Sequence, residues 1–392
     1  MPKVILFVDD EVQILKSLKR LFRATEHEVY FADSGQMALD ILTEHHVDLI
    51  VTDIRMPQMD GFELLKRVKE DYPLTLRVAL SGFTDNKKIY TALENNLAKL
   101  YMFKPWDNNE LLVTIDKIFE LEDVLMNQDL LDMINNLDEL PSIPFLYREL
   151  SRLVEEDASI EDISKMIEQD QSIASKILKV ANSAFYGAKT GSIIQSIMYI
   201  GLINVKNIVL TNSVFDNFGS KSKYHEVLWN HVNLTNKIVS ILYHRCLNKR
   251  LPNVYASAGL LHDIGRIILL RFFSDRYKEV IKRMDTGDGS EITMSALETE
   301  LIGFDHQQVG GYLLSWWEIP VPIVEAALYH HDPLNEAIIN KELVQVVHLA
   351  NYYSWQALEE EHFKENLMLG VFKELNLNRE FVEAEIKRNL EL

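Results

Sequence analysis

Cysteine is nearly absent: Cys246 stands alone in 392 residues, which excludes an internal disulfide and fits a reducing cytoplasm. Long hydrophobic runs are missing as well. The longest fall far short of a membrane span, and the apolar start of the chain leads straight into Asp9-Asp10. The expectation is therefore a cytoplasmic protein with no signal peptide and no membrane partner. Positive charge is scarce, 40 Lys and Arg against 59 Asp and Glu, for a formal net charge of −19. A nucleic-acid surface needs a basic patch to displace counterions, and no stretch advertises one, so no nucleic-acid partner is expected. What is present is an ordinary globular balance, 47% apolar and 25% charged, at a length that suggests two or three domains.

Strand and helix patterns alternate from the N-terminus to about residue 125. Val4-Ile5-Leu6-Phe7-Val8 reads as a buried strand, and Val12, Leu15, Leu18 and Phe22 follow at helical spacing. His27 to Ala32 reads as a second strand, with Ser34 as the cap of a helix carrying Met37, Ala38, Ile41 and Leu42. A third, Leu49-Ile50-Val51, is ended by Asp53, then by Pro57 and Gly61, and a helix runs from about Gly61 to Glu70. Arg77 to Ser81 and Leu100 to Lys104 read as the fourth and fifth strands, each followed by a helix pattern. Such βα units imply a doubly wound parallel sheet with helices on both faces.

The polar residues then fall together, because the carboxyl ends of parallel strands form one crevice. Asp9 and Asp10 end the first strand, Asp53 the third, Ser81 the fourth and Lys104 the fifth. Clustered carboxylates repel unless a cation neutralises them, and hard oxygen donors suit Mg²⁺. Aspartate can accept a phosphoryl group as an acyl phosphate, a lysine can offset the incoming charge, and a serine hydroxyl can hydrogen-bond it. Any one of these residues alone would more often be a loop cap or a solvated charge.

Through Val8-Asp9-Asp10-Glu11, Asp53-Ile54-Arg55-Met56-Pro57-Gln58-Met59-Asp60-Gly61, Leu80-Ser81-Gly82 and Phe103-Lys104-Pro105-Trp106, residues 1–125 resemble a response-regulator receiver domain with a flavodoxin-like fold. The resemblance implies that Asp53 is the phosphoacceptor for a histidine kinase. It implies that Asp9, Asp10, Asp53 and the backbone carbonyl of Arg55 bind Mg²⁺, and that Ser81 and Lys104 contact the phosphoryl group. Tyr101 would be the aromatic that swings when Ser81 is drawn in, and Lys104-Pro105 would carry a cis peptide.

Leu111, Leu112, Ile115, Ile118 and Phe119 mark the last helix of this region, and Leu121 and Leu125 extend it. No Gly/Ser/Pro-rich stretch precedes Pro141, so residues 126–140 are expected to form a stiff helical linker. With barely two heptads, that join is short for a coiled-coil homodimer. Strand signals vanish beyond it, and residues 141–392 read as all-α. Two short helices around 160–182 mimic a helix-turn-helix in an acidic setting.

The chemistry-bearing residues of this half are its histidines. Leu260-Leu261-His262-Asp263-Ile264-Gly265-Arg266 sets an adjacent His-Asp pair at a helix end, and His231, His306, His330 and His331 lie in other helical segments. Borderline metals accept His nitrogen and Asp oxygen, and two ions bridged by an Asp would need about this many ligands. A single half-buried histidine is more often structural. Asp170-Gln171-Ser172-Ile173-Ala174, Ala181-Asn182-Ser183-Ala184-Phe185-Tyr186, the His262-to-Arg266 motif, Phe304-Asp305-His306-Gln307-Gln308-Val309-Gly310, the Trp317-to-Pro320 segment and His330-His331 are similar to the HDOD domain, a helical relative of the HD phosphohydrolases. That resemblance covers about 131–355 and implies an output module that binds an unidentified protein partner. On the hydrolase pattern, His231, His262, Asp263, His306, His330 and His331 take ligand-like positions for Fe, Mn or Zn, and Asn351 stands where an aspartate closes the set. The Gly-Tyr-Pro segment of cyclic-dinucleotide phosphodiesterases is missing after His331. A catalyst is therefore the second expectation, a metal-dependent phosphohydrolase acting on a nucleotide or cyclic dinucleotide.

Overall fold

The computed structural model describes residues 2–82, 97–98, 100–104, 106–125, 145–156, 158–182, 189–217, 223–285, 293–317, 319–358 and 366–390. It divides into two compact units, Met1–Asp116 and Lys117–Leu392.

Apolar β-branched runs make the first unit's sheet. Strands β1 (Val4–Val8), β2 (Glu28–Ala32), β3 (Leu49–Asp53), β4 (Leu76–Gly82) and β5 (Leu100–Lys104) are all parallel, in the order β2-β1-β3-β4-β5. Every residue of β3 is buried, as a strand covered on both faces requires. The expected strands are all present, and the sheet is doubly wound. Its order places the reversal between β1 and β3, where Asp9 and Asp53 end their strands.

Helices α1 (Val12–Leu21), α2 (Gly35–Glu44), α3 (Gly61–Asp71) and α4 (Asn108–Leu125) alternate with the strands. The division between units falls inside α4. The helix expected after β4 and the 126–140 linker lie outside the described residues. One capping expectation needs correction: Ser34 sits at the N-cap of α2, but its hydroxyl donates to Asp33 Oδ1 at 3.2 Å rather than capping the helix. Asp60 does cap α3, accepting from Glu63 N at 2.9 Å.

The described part of the second unit is helical throughout. Its first helices are α5 (Phe145–Glu155), α6 (Ile160–Glu168), α7 (Gln171–Ala181), α8 (Ile193–Ile200) and α9 (Leu202–Asn217). Then come α10 (Lys223–Ile241), α11 (Ala258–Leu261), α12 (Ile264–Phe272), α13 (Ser274–Asp285), α14 (Met294–Ile302) and α15 (His306–Trp316). Finally α16 (Val321–Tyr329), α17 (Lys341–Leu358), α18 (Gly370–Glu374) and α19 (Arg379–Leu390) close the chain. The core runs through α10, α11, α12, α15, α16 and α17, with Leu261, Ile264, Leu313, Ala326 and Val347 enclosed. Among the described residues no single helix is long and apolar enough to cross a membrane.

Candidate functional site

In the first unit, the carboxyl ends of β1 and β3 bring Asp9, Asp10 and Asp53 together, with one oxygen of each within 4.8 Å of the others. Local hydrogen bonds aim two of them. Glu11 N donates to Asp9 Oδ1 at 2.9 Å, and Ile54 N donates to Asp53 Oδ1 at 2.8 Å. Lys104, at the end of β5, reaches across with Nζ 2.6 Å from Asp9 Oδ2 and 3.0 Å from Asp53 Oδ2. Burial raises the Asp9 carboxyl above its ordinary value, against the pull of Lys104. For Lys104, burial alone would lower the ammonium, yet its bonds to Asp9 and Asp53 push it up. One lysine against three acids leaves negative charge for a divalent ion to balance, and the all-oxygen donor set suits Mg²⁺.

Gly61 makes room for this arrangement, since a Cβ there would collide with the backbone oxygen of Asp53. Ser81 and Tyr101 occupy the expected strands, paired with Phe103 and Ala79, but their side chains and Pro105 lie outside the described residues.

The second unit gathers its predicted residues around one buried carboxylate. Asp263 is the N-cap of α12, and His262 ends α11 just before it. His231 comes from α10, His306 opens α15, His330 ends α16, His331 follows, and Asn351 lies in α17. Asp263 Oδ1 is 3.4 Å from His306 Nε2 and 3.3 Å from His330 Nε2. Its Oδ2 is 3.4 Å from His231 Nε2 and 3.7 Å from His262 Nε2. His331 Nε2 lies 2.9 Å from His306 Nε2, and Asn351 Oδ1 lies 3.3 Å from His262 Nε2.

The far nitrogen of each ring fixes its tautomer. His262 Nδ1 donates to Gly259 O at 3.0 Å, and His330 Nδ1 to Ala327 O at 3.0 Å. Ser354 donates its own proton to Asn351 O at 2.9 Å and so accepts from His231 Nδ1 at 2.7 Å. Carbonyls can only accept, so the Nε2 atoms of these rings are bare and point at one another. His231 Nε2 and His262 Nε2 are 3.2 Å apart. Unprotonated nitrogens converging on a buried carboxylate are a donor set that fits a borderline metal ion.

Burial lowers His231 and His331 to about 3 and His262 to about 4, and holds His306 well below its usual range. These imidazoles are neutral, as ligands must be. Burial alone would raise Asp263, but the Arg266 guanidinium and the neighbouring histidines hold it well below the carboxylate range.

Comparisons with known proteins agree with both halves. The model of the response regulator receiver domain matches residues 5–116, and that of the HDOD domain matches residues 140–333. The chain belongs to the response regulators. It is 30% identical over 185 residues to a probable transcriptional regulator, ycf27, of Cyanidium caldarium, covering 45% of this chain and 73% of that one. An uncharacterized protein of Treponema pallidum is 25% identical over 221 residues, 55% of this chain and 42% of the other. The chain spans only 25% to 42% of the first few curated relatives it matches. A solved HDOD domain protein of unknown function from Geobacter sulfurreducens shares the fold, with a TM-score of 0.53 at 24% identity over 69% of this chain and 90% of that one.

In this response regulator, then, sequence reasoning placed the ligand-like residues of the HDOD domain but missed their supports. Glu298, buried in α14, lies 2.6 Å through Oε2 from His306 Nδ1 and also accepts from His306 N at 2.9 Å. Burial pushes its carboxyl up to about 8. Arg266 Nε lies 2.9 Å from Asp263 Oδ2, one turn along α12. Arg266 carried a signal, the i,i+3 spacing from Asp263. Glu298 carried none. The receiver domain does carry a local basic face within the acidic chain. Lys16, Lys19, Arg20 and Arg23 share one side of α1 and its following turn, and border an open depression floored by Phe22 and Phe31.

Proposed function

We propose that this response regulator is switched in the cytoplasm by phosphorylation of Asp53 by a histidine kinase, and that its HDOD domain passes the change to a partner protein. The observation that carries the reading is the crevice in which Lys104 Nζ lies 3.0 Å from Asp53 Oδ2 beside Asp9 and Asp10. Asp53 Oδ2 forms the new O–P bond as the donor's bond to phosphorus breaks. Asp9, Asp10, Asp53 and the Arg55 carbonyl would hold Mg²⁺, which would supply charge neutralisation for the incoming phosphoryl group. Lys104 and the Ser81 hydroxyl hold that group, and Tyr101 follows Ser81. Domains at 1–125 and 141–392, joined through residues 126–140, carry the signal. A homodimer through that join would appear as a doubled mass in light scattering. Treatment with acetyl phosphate and Mg²⁺ should add one phosphoryl group at Asp53, read by peptide mass spectrometry, and Asp53→Ala should lose it. A label elsewhere, or none, overturns the assignment.

The same reading gives the HDOD domain a transition-metal centre of Fe, Mn or Zn around Asp263, supported by the convergence of unprotonated Nε2 atoms on that buried carboxylate. That convergence also favours a second reading, a receiver-controlled phosphohydrolase of nucleotides or cyclic dinucleotides. Against it stand the neutral Asn351 and Asp332-Pro333-Leu334 in place of Gly-Tyr-Pro. Turnover of bis-p-nitrophenyl phosphate that disappears in Asp263→Ala would favour the enzyme over the output module.

A further inference from the structure

The two oxygens of Asp263 face unequal surroundings. On the Oδ1 side stand three imidazoles, with His306 Nε2 at 3.4 Å and His330 Nε2 at 3.3 Å from that oxygen, and His331 Nε2 at 2.9 Å from His306 Nε2. Behind His306, the buried Glu298 Oε2 holds Nδ1 at 2.6 Å and the backbone N–H of the same residue at 2.9 Å. An acceptor oxygen behind a ligating histidine fixes the orientation of its ring. The Oδ2 side has two imidazoles, and its third donor is the neutral amide of Asn351, 3.3 Å from His262 Nε2. Oδ2 also meets Arg266 Nε at 2.9 Å, a fully buried guanidinium that cannot lose its charge.

A cation approaching Oδ2 therefore finds one carboxylate fewer and a fixed positive charge already in place. Resting on the metal reading above, we propose that the cluster is a single-ion centre. The ion sits on the Oδ1 side, held by Asp263, His306, His330 and His331. Arg266 stands in for a second ion at Oδ2, and Glu298 is the positioning residue for His306. One ion cannot clamp both the attacking and leaving oxygens of an in-line displacement, so this asymmetry also aligns with an output role.

The test is metal content of the full chain, stripped with chelator and titrated with Zn²⁺ in excess Mg²⁺ that fills the receiver acids. One Zn²⁺ per chain is expected. His231→Gln should keep that ion with little change in Kd, whereas His306→Gln should lose it. Asn351→Asp, which restores the missing carboxylate, should raise the stoichiometry to two. Glu298→Gln should weaken Zn²⁺ binding by about 10–100-fold with an unchanged circular dichroism spectrum, a loss that a merely structural role would not produce. Two ions in the unmodified chain, or loss of the single ion in His231→Gln, overturns the asymmetry and leaves a metal centre. No bound Zn²⁺ in either the unmodified chain or Asn351→Asp overturns the metal reading itself.

Discussion

His348 lies outside the histidine cluster yet holds it in place. Its Nδ1 donates to His330 O at 2.7 Å, and its Nε2 accepts from Met368 N at 3.1 Å, so both ring nitrogens have backbone partners. His348→Ala leaves buried backbone groups unpaired and should cost about 1–3 kcal/mol in chemical denaturation. Glu325 shows how a buried acid sets a pH dependence. Its carboxylate accepts from Ile339 N at 2.6 Å and Asn340 N at 2.9 Å, but burial still raises its pKa. Because the folded value lies above the unfolded one, the contribution to stability is full below the ordinary Glu range and is lost as pH rises through the folded value. The stability of the native chain relative to Glu325→Gln should therefore fall from acid toward neutral pH in parallel denaturant titrations. Cys246 is the opposite of a reactive thiol, since burial pushes it up to about 11. Iodoacetamide should label it slowly at pH 7.5 and markedly faster above pH 10, followed by mass.

At the scale of elements, the two sites depend on close backbone approaches. A Cβ on Gly265 would collide with His306 O at the crossing of α12 and α15, the helices that carry Asp263 and His306. Gly265→Ala should destabilise the HDOD domain by about 3 kcal/mol and separate Asp263 from His306, so Zn²⁺ affinity should fall along with the midpoint of unfolding. A small loss of stability with unchanged metal binding would mean that the helices can part without disturbing the cluster. The hydrogen bonds at the tips of β1 and β3 do similar work in the receiver domain. Glu11 N and Ile54 N each bind a carboxylate oxygen and fix where the acids point.

For the molecule as a whole, the two compact units have separate cores, an α/β sheet in Met1–Asp116 and a helical core in Lys117–Leu392. Each proposed cation belongs to one unit. Scanning calorimetry should resolve two transitions, with Mg²⁺ raising one and Zn²⁺ the other, because a ligand stabilises only the unit it binds. At 100 times Kd the gain is about 2.7 kcal/mol. A single transition that responds to both ions would show that the units unfold together.

Much of this was written locally. Short apolar runs ending in charged residues, and helical spacing after them, determined the βα order and put Asp9, Asp53 and Lys104 at strand ends. The His262-Asp263 pair likewise announced itself by adjacency. The basic side of α1 follows from the spacing of Lys16, Lys19, Arg20 and Arg23, within a chain whose net charge is −19. The Ser34 cap failed because a neighbouring acid, Asp33, competed for the hydroxyl. Packing alone decided the rest. His231 and His262 are 31 positions apart in sequence, and His262 and Asn351 are 89 apart, yet each pair meets within hydrogen-bonding distance. Glu298 behind His306 carries no periodicity that marks a site, and the i,i+3 spacing of Arg266 from Asp263 does not tell which oxygen it meets. Sequence periodicity records which face of an element is buried, whereas the charge balance on each side of one carboxylate exists only after the helices have crossed.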